Sequence, residues 1–294
     1  MNSKNLKHQI ILNIFMMIFS IICIVPLVLL ISSSFSDNLY VIRHGYSFIP
    51  EKFSIDAYAY LMNQAGYIFH AYFITIFITV VGTTISLFMT TMLAYTLSRK
   101  DLPGNKYLTF FVFFTMLFNG GLVPTYILYA QILGIKNSIL ALIIPWLLMN
   151  GFNVLLARTF FITDIPTAII ESANIDGAGE FTIYIKIILP LSLPIMATLG
   201  LFVGVGYWND WYNGLIYLTD TNLFSLQNVL NQILLSIQFL LQNSTASSHI
   251  DTSKIPGETV RMAIAVIGLV PILFAYPFFQ KYFVKGIVMG AVKE

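Results

Sequence analysis

Long apolar runs separated by short polar punctuation dominate this chain. Six of them reach the ~20 residues that a bilayer-spanning helix needs. They lie at approximately 10–31, 68–97, 107–133, 138–157, 187–218 and 262–279. The pattern predicts an all-α, six-span membrane protein. The first run follows Lys4 and Lys7 and precedes Ser32-Ser33-Ser34, a layout shared with secretory signals. Its 22 apolar residues exceed the roughly 7–15 of a signal core, so it reads as a retained anchor. The fourth run is interrupted by Asn150, Gly151 and Asn153.

Charge placement orients the spans. With the N-terminus in the cytoplasm, that side carries Lys4, Lys7, Arg99, Lys100, Lys106, Arg158, Lys186, Lys281, Lys285 and Lys293, ten of the fifteen Lys and Arg residues. Arg43, Lys52, Lys136, Lys254 and Arg261 fall on the longer outer segments. Both termini are therefore expected in the cytoplasm: residues 1–9 as an N-terminal stub, 10–280 as the six-span domain, 281–294 as a tail. Two outer segments are long. Residues 32–67 show a weak helical pattern through 56–61; residues 219–261 contain Gln227, Asn228, Gln238, Gln242 and an Asn-Ser-Thr-rich run, and read as a functional or mobile loop.

Composition agrees with the bilayer reading: 57% of residues are hydrophobic and 10% charged, against about 25% in soluble domains. The net charge of +2 gives no sign of a nucleic-acid partner. Cys23 is the single cysteine, so no internal disulfide can form. Asp210 is the lone charge within the six runs, and the histidines sit at run ends or in loops. Intramembrane charges mark proton and ion pathways, so their scarcity argues against an ion-coupled transporter, although sodium sites built from carbonyls and hydroxyls stay open. No His or Cys pair has metal-ligand spacing, no hydrolase triad can be assembled, and no phosphate-binding loop occurs. The chain is expected to be no enzyme and to bind no cofactor of its own.

One cytoplasmic stretch, residues 158–186, stands apart from the other connections. Pro166 suits a helix start and Gly177 a helix end, which predicts a short helix over 166–176 with Ile169, Ile170 and Ala173 on one side. A helix resting on anionic lipid would carry basic residues, whereas this one carries Glu171 and Asp176. A protein partner suits it better. A second short helix is expected from Glu180 into the fifth span.

Glu171-Ser172-Ala173, three residues, Gly177, nine residues, Ile187-Ile188-Leu189-Pro190 is similar to the E-A-A…G…I-x-L-P loop of binding-protein-dependent importers of the ABC class. Each spacing agrees, and Ser172 replaces one small residue by another. The end of the chain, 280–293, resembles the smaller permease of maltose-type sugar importers. Phe118–Tyr126 and Tyr207–Asn213 are similar to a subgroup for oligosaccharides or polysaccharide fragments. The resemblance covers roughly residues 9–294.

It implies a permease subunit of a sugar or oligosaccharide importer in the bacterial plasma membrane. Its partners would be a second homologous permease, two ATPase subunits holding ATP and Mg, and an extracytoplasmic sugar-binding protein or lipoprotein, besides membrane lipid. Glu171, Ser172, Ala173, Asp176, Gly177, Ile187, Leu189 and Pro190 would form the ATPase-coupling site, passing movement to the fifth span through Pro190. A permease for another solute is the alternative. Sugars bind to aromatic faces and amide or carboxylate side chains. Asn119, Tyr126, Trp146, Asn150, Asn153, Tyr207, Trp208, Asn209, Asp210 and Trp211 are the candidates for a substrate pathway. Gly200 and Gly204 are a small-residue pair expected to pack on the partner permease.

Overall fold

The computed structural model describes residues 3–99, 101–243 and 257–291. Among them the regular structure is helical, with one isolated antiparallel bridge between Ser36 and Phe53. The chain divides into two compact units, residues 1–67 with 230–271 and residues 68–229 with 272–294. Three helices are each long and apolar enough to span a bilayer, within Gln9–Ser34, Ala65–Ser98 and Gly257–Pro277. Three bent helix pairs pass the same test only together, so the described helices offer three to six candidate spans.

In the first unit α1 (Ser3–Ser34) extends the first run at both ends. Residues 9–26 are exposed on every side, as expected of a helix meant for lipid or for another chain. Asp37 caps α2 (Asn38–His44) by accepting the Tyr40 N–H at 2.9 Å. That bond, helped by Lys52 at 3.3 Å, holds the Asp37 carboxyl below the usual carboxylate range. α3 (Asp56–Met62) covers the weak helical pattern. Phe35 stacks on Tyr58 at 4.8 Å, and the Tyr58 hydroxyl meets that of Ser34 at 2.8 Å, so the first outer segment folds back on the end of α1.

In the second unit α4 (Ala65–Ser98) is the continuous second span. The third run is not one helix. α5 (Asn105–Leu117) and α6 (Leu122–Tyr126), the latter prolonged by a π-helical turn over Ile127–Ile132, meet at 114°. Gly121, at φ +83, takes a backbone conformation few other residues adopt, and Asn119 Oδ1 accepts its N–H at 2.8 Å. The fourth run also departs from expectation. α7 (Leu140–Ile143) stops before Pro145, and α8 (Gly151–Asp164) begins only at the Asn150 cap.

α9 (Thr167–Ile175) leaves α8 at 79°. α10 (Glu180–Ile183), a π-helical turn over Tyr184–Ile188 and α11 (Leu189–Leu191) follow as one rod. The fifth run, 187–218, is not one helix: the chain turns 80° at Ser192 into α12 (Leu193–Trp208). Pro190 and Pro194 lack the N–H groups an unbroken helix would use, and the Pro194 ring crowds the carbonyl four residues back. α13 (Tyr212–Tyr217) is a separate short helix. Part of the second outer segment is helical: α14 (Leu226–Asn243) lies in it, with Leu226, Val229, Leu230, Ile233 and Ile237 buried at helical spacing. The run 244–248 lies outside the described residues, as do Lys100, Lys254 and Lys293. α15 (Gly257–Ala291) contains and exceeds the sixth run. Asn38 Oδ1 accepts the Glu258 and Thr259 N–H groups at its start, at 3.1 and 3.3 Å.

Within the second unit α4 and α12 approach closely. A Cβ on Gly82 would strike the Tyr207 ring, and one on Gly204 would lie 3.5 Å from Thr83 Oγ1. Gly204 therefore packs within the subunit, on α4, where contact with a second permease was expected. At one end of this unit Arg99 pairs with Glu180 at 3.1 Å. At the other, His70 Nε2 lies 2.8 Å from the Asn222 carbonyl, and Asn137 Nδ2 donates to Thr219 Oγ1 at 2.7 Å. The turn after the second span and the loop after the fourth thus share an end, as a six-span topology requires.

Candidate functional site

The E-A-A-like segment is built around α9. Pro166, extended at φ −63, starts the helix, and Gly177, at φ +76, stops it. Gly177 N–H donates to Asn174 O and Ala178 N–H to Ala173 O, both at 3.0 Å, the paired bonds of a Schellman turn. Ala173 is buried and Ile170 packs beside it, while Glu171, Ser172, Asn174, Ile175, Asp176 and Gly177 are exposed. Ile175 is 86% exposed, and Ile169, expected beside Ile170, also faces out. An apolar face left open in this way suits a protein partner.

Beneath α9 lies one apolar cluster. It joins Ala94, Tyr95 and Leu97 of α4, Val154, Ala157 and Phe161 of α8, Ala173, Ile183, Tyr184 and Ile188, and Ile195 and Leu199 of α12. Ile187 and Leu189 pack on it, whereas Pro190 is exposed. The spaced residues of the motif therefore anchor the loop to three spanning helices. Sequence reasoning missed the polar ties beside this cluster. Arg99 holds Asp101 in a two-pronged bond, Nε to Oδ1 at 2.9 Å and Nη2 to Oδ2 at 2.7 Å, and reaches Glu180 as well. Asp101 raises the already high pKa of Arg99, and Arg99 lowers that of Asp101. Their one signal in the sequence was an acidic residue three positions past Gly177.

A cavity of about 700 Å³ opens where the third and fourth spans break. Asn119, Trp146 and Asn150 line it, joined by Met89, Thr115, Thr125 and Tyr129, which the sequence reading did not single out. Trp146 sits at φ +66, a strained conformation for a bulky residue, and its side chain stays 43% exposed. Asn119 and Asn150 each spend a side-chain oxygen on a local N–H, leaving their NH₂ groups as the donors of the wall.

The other pathway candidates do not line this cavity. Tyr126 stacks on Tyr217 at 5.9 Å, and Asn153 is half-buried on α8. Tyr207 is buried, its hydroxyl donating to Ile143 O at 2.8 Å. Trp208 is buried against Tyr72. Asp210 is buried and caps α13, its Oδ1 accepting the N–H groups of Tyr212 at 3.1 Å and Asn213 at 3.2 Å. Asn209 and Trp211 are exposed. Tyr207 and Asp210 thus have internal hydrogen-bond partners, and Asn209 Nδ2 donates to Val205 O at 3.0 Å.

Residues 93–289 match the family described as binding-protein-dependent transport system inner membrane component. The chain belongs to this family. Three relatives of the permease match it over most of their length. The polygalacturonan/rhamnogalacturonan transport system permease protein YtcP of Bacillus subtilis (strain 168) is 39% identical, over 99% of both chains. Protein LplC of the same organism is 37% identical, over 92% of this chain and 90% of its own. A chain in the crystal structure of a bacterial ABC transporter involved in the import of the acidic polysaccharide alginate is 27% identical, covers 96% of the permease and 99% of itself, and superposes with a TM-score of 0.77. Membership makes the chain a non-catalytic component of an inner-membrane transport system, one that works with a binding protein and an ATPase.

Proposed function

We propose that this permease is half of the translocation pathway of an ATP-driven importer for a sugar or oligosaccharide, with residues 10–280 as its working domain. A second, homologous permease supplies the other half. Two ATPase subunits hold ATP and Mg, and an extracytoplasmic binding protein or lipoprotein delivers the sugar. Both termini lie in the cytoplasm, with α9 on the same side.

The observation that carries this reading is α9 itself: a short helix anchored by Ala173, stopped at Gly177 and followed by a rod whose Ile187 and Leu189 pack on the same cluster, with Glu171, Ser172 and Asp176 exposed. Coupling needs a rigid element that makes different contacts in two states, and this helix supplies one. The sugar follows from the relatives' substrates. The cavity at the broken spans supports it, since Trp146 offers an aromatic face and Asn119 and Asn150 offer donors.

The test uses the complex purified with its ATPase and returned to lipid. Gly177→Asp is expected to lose most of the co-purifying ATPase and at least tenfold of oligosaccharide uptake from a galacturonan digest. Wild-type ATPase content and uptake would remove α9 as the docking element.

A further inference from the structure

Once α9 moves, its displacement has two routes into the spanning helices. The end-on route runs along α10 and α11 into α12, but it turns 80° at Ser192, between Pro190 and Pro194. A proline-broken joint bends under load where an unbroken helix would push.

The sideways route is fastened at several points. Glu180, first residue of α10, accepts the Tyr95 hydroxyl at 3.0 Å and pairs with Arg99 at 3.1 Å. One turn on, the Tyr184 hydroxyl lies 2.8 Å from Thr91 Oγ1, and its ring stacks on Tyr95 at 5.8 Å. Tyr95, Thr91, Ile183 and Tyr184 are all buried. Asp101 fixes the Arg99 guanidinium from the other side, and Arg158 Nε donates to Leu97 O at 2.8 Å, tying α8 to the same end of α4.

We propose that Glu180 with Arg99 and Tyr95, and Tyr184 with Thr91, form a clasp through which movement of α9 drives the second span, α4. The proposal rests on the reading of α9 as the ATPase-docking helix. Glu180 and Arg99 act as positioning residues. The exposed carboxylate contributes little by itself. The close-packed hydroxyls and rings beside it cannot slide without opening a void, so the pair of contacts moves as a block.

The test follows α4 directly and needs no knowledge of the sugar. In a Cys23→Ala background, spin labels are placed at the exposed positions Val80 on α4 and Phe202 on α12. The complete complex in lipid is compared before and after trapping with ATP and vanadate. Trapping is expected to shift the signal at position 80. Thr91→Val with Glu180→Ala should abolish that shift while the ATPase co-purifies at the wild-type ratio. Glu180→Gln, which keeps an oxygen for Tyr95 but loses the charge, should leave a reduced shift.

A position-80 shift that survives in the double variant overturns the clasp, as does a wild-type shift confined to position 202. Loss of the ATPase from the Glu180→Gln complex also overturns it, because these residues would then fold the docking helix itself. The Gly177→Asp complex separates the two ideas. If it keeps its ATPase, the docking reading has failed; if it loses the ATPase while the double variant keeps its shift, the clasp alone has failed.

Discussion

Gly177 occupies a left-handed turn with open space where a Cβ would be, so nothing within the subunit excludes a side chain there. The constraint is in the backbone, where an ordinary residue costs about 1–2 kcal/mol and asparagine costs less. Gly177→Asn is therefore expected to retain more co-purifying ATPase than Gly177→Ala, although it is the larger change. The reverse order would mean that crowding at the partner surface, and not the turn, governs the site. Asp210 is the second residue whose role the coordinates sharpen. It stands among aromatics and amides suited to sugar, yet its carboxylate caps α13. Asp210→Leu removes that cap, at roughly 1–2 kcal/mol, and should lower the Tm of the purified subunit, while Asp210→Asn, which keeps an acceptor oxygen, should barely shift it. Wild-type Tm in the leucine variant together with lost uptake would return Asp210 to the sugar path.

At the scale of elements, apolar length locates the spans but conceals their breaks. Continuous hydrophobicity covers 107–133 and 187–218 because Gly, Pro and Asn are too few there to dent it, yet Gly121 and the Pro190–Pro194 pair decide the geometry. The α9 segment was legible because Pro166 and Gly177 punctuate it and the spaced motif has fixed gaps. The Arg99–Glu180 tie was not, since residues 81 positions apart say nothing of contact until the fold joins them. α14 is a different miss. Its buried residues recur every three or four positions, but the Gln and Asn between them suggested a loop. The distinction can be measured at Gln232, exposed in mid-helix. Gln232→Pro should cost about 3 kcal/mol and lower the Tm clearly, with Gln232→Ala close to wild type. Equal Tm values would make the segment a loop after all.

At the scale of the whole molecule, sidedness links the charge pattern to the coupling loop. Ten of fifteen basic residues fall on one side of a six-span path. Independently, the second unit gathers Arg99 and Glu180 at one end, and His70, Asn137, Thr219 and Asn222 at the other. Both patterns put the connections after spans two and four on one side, the side that the proposed function takes as cytoplasmic. Asn174 on α9 and Thr221, beside Asn222, are both exposed, so each can carry a single reporter cysteine in a Cys23→Ala background. An impermeant maleimide added to intact cells should label Thr221→Cys and spare Asn174→Cys, and permeabilisation should then expose position 174. Labelling of position 174 in intact cells would invert the path. It would place α9 where no ATP-hydrolysing partner could reach it, and the docking helix and its clasp would fall together.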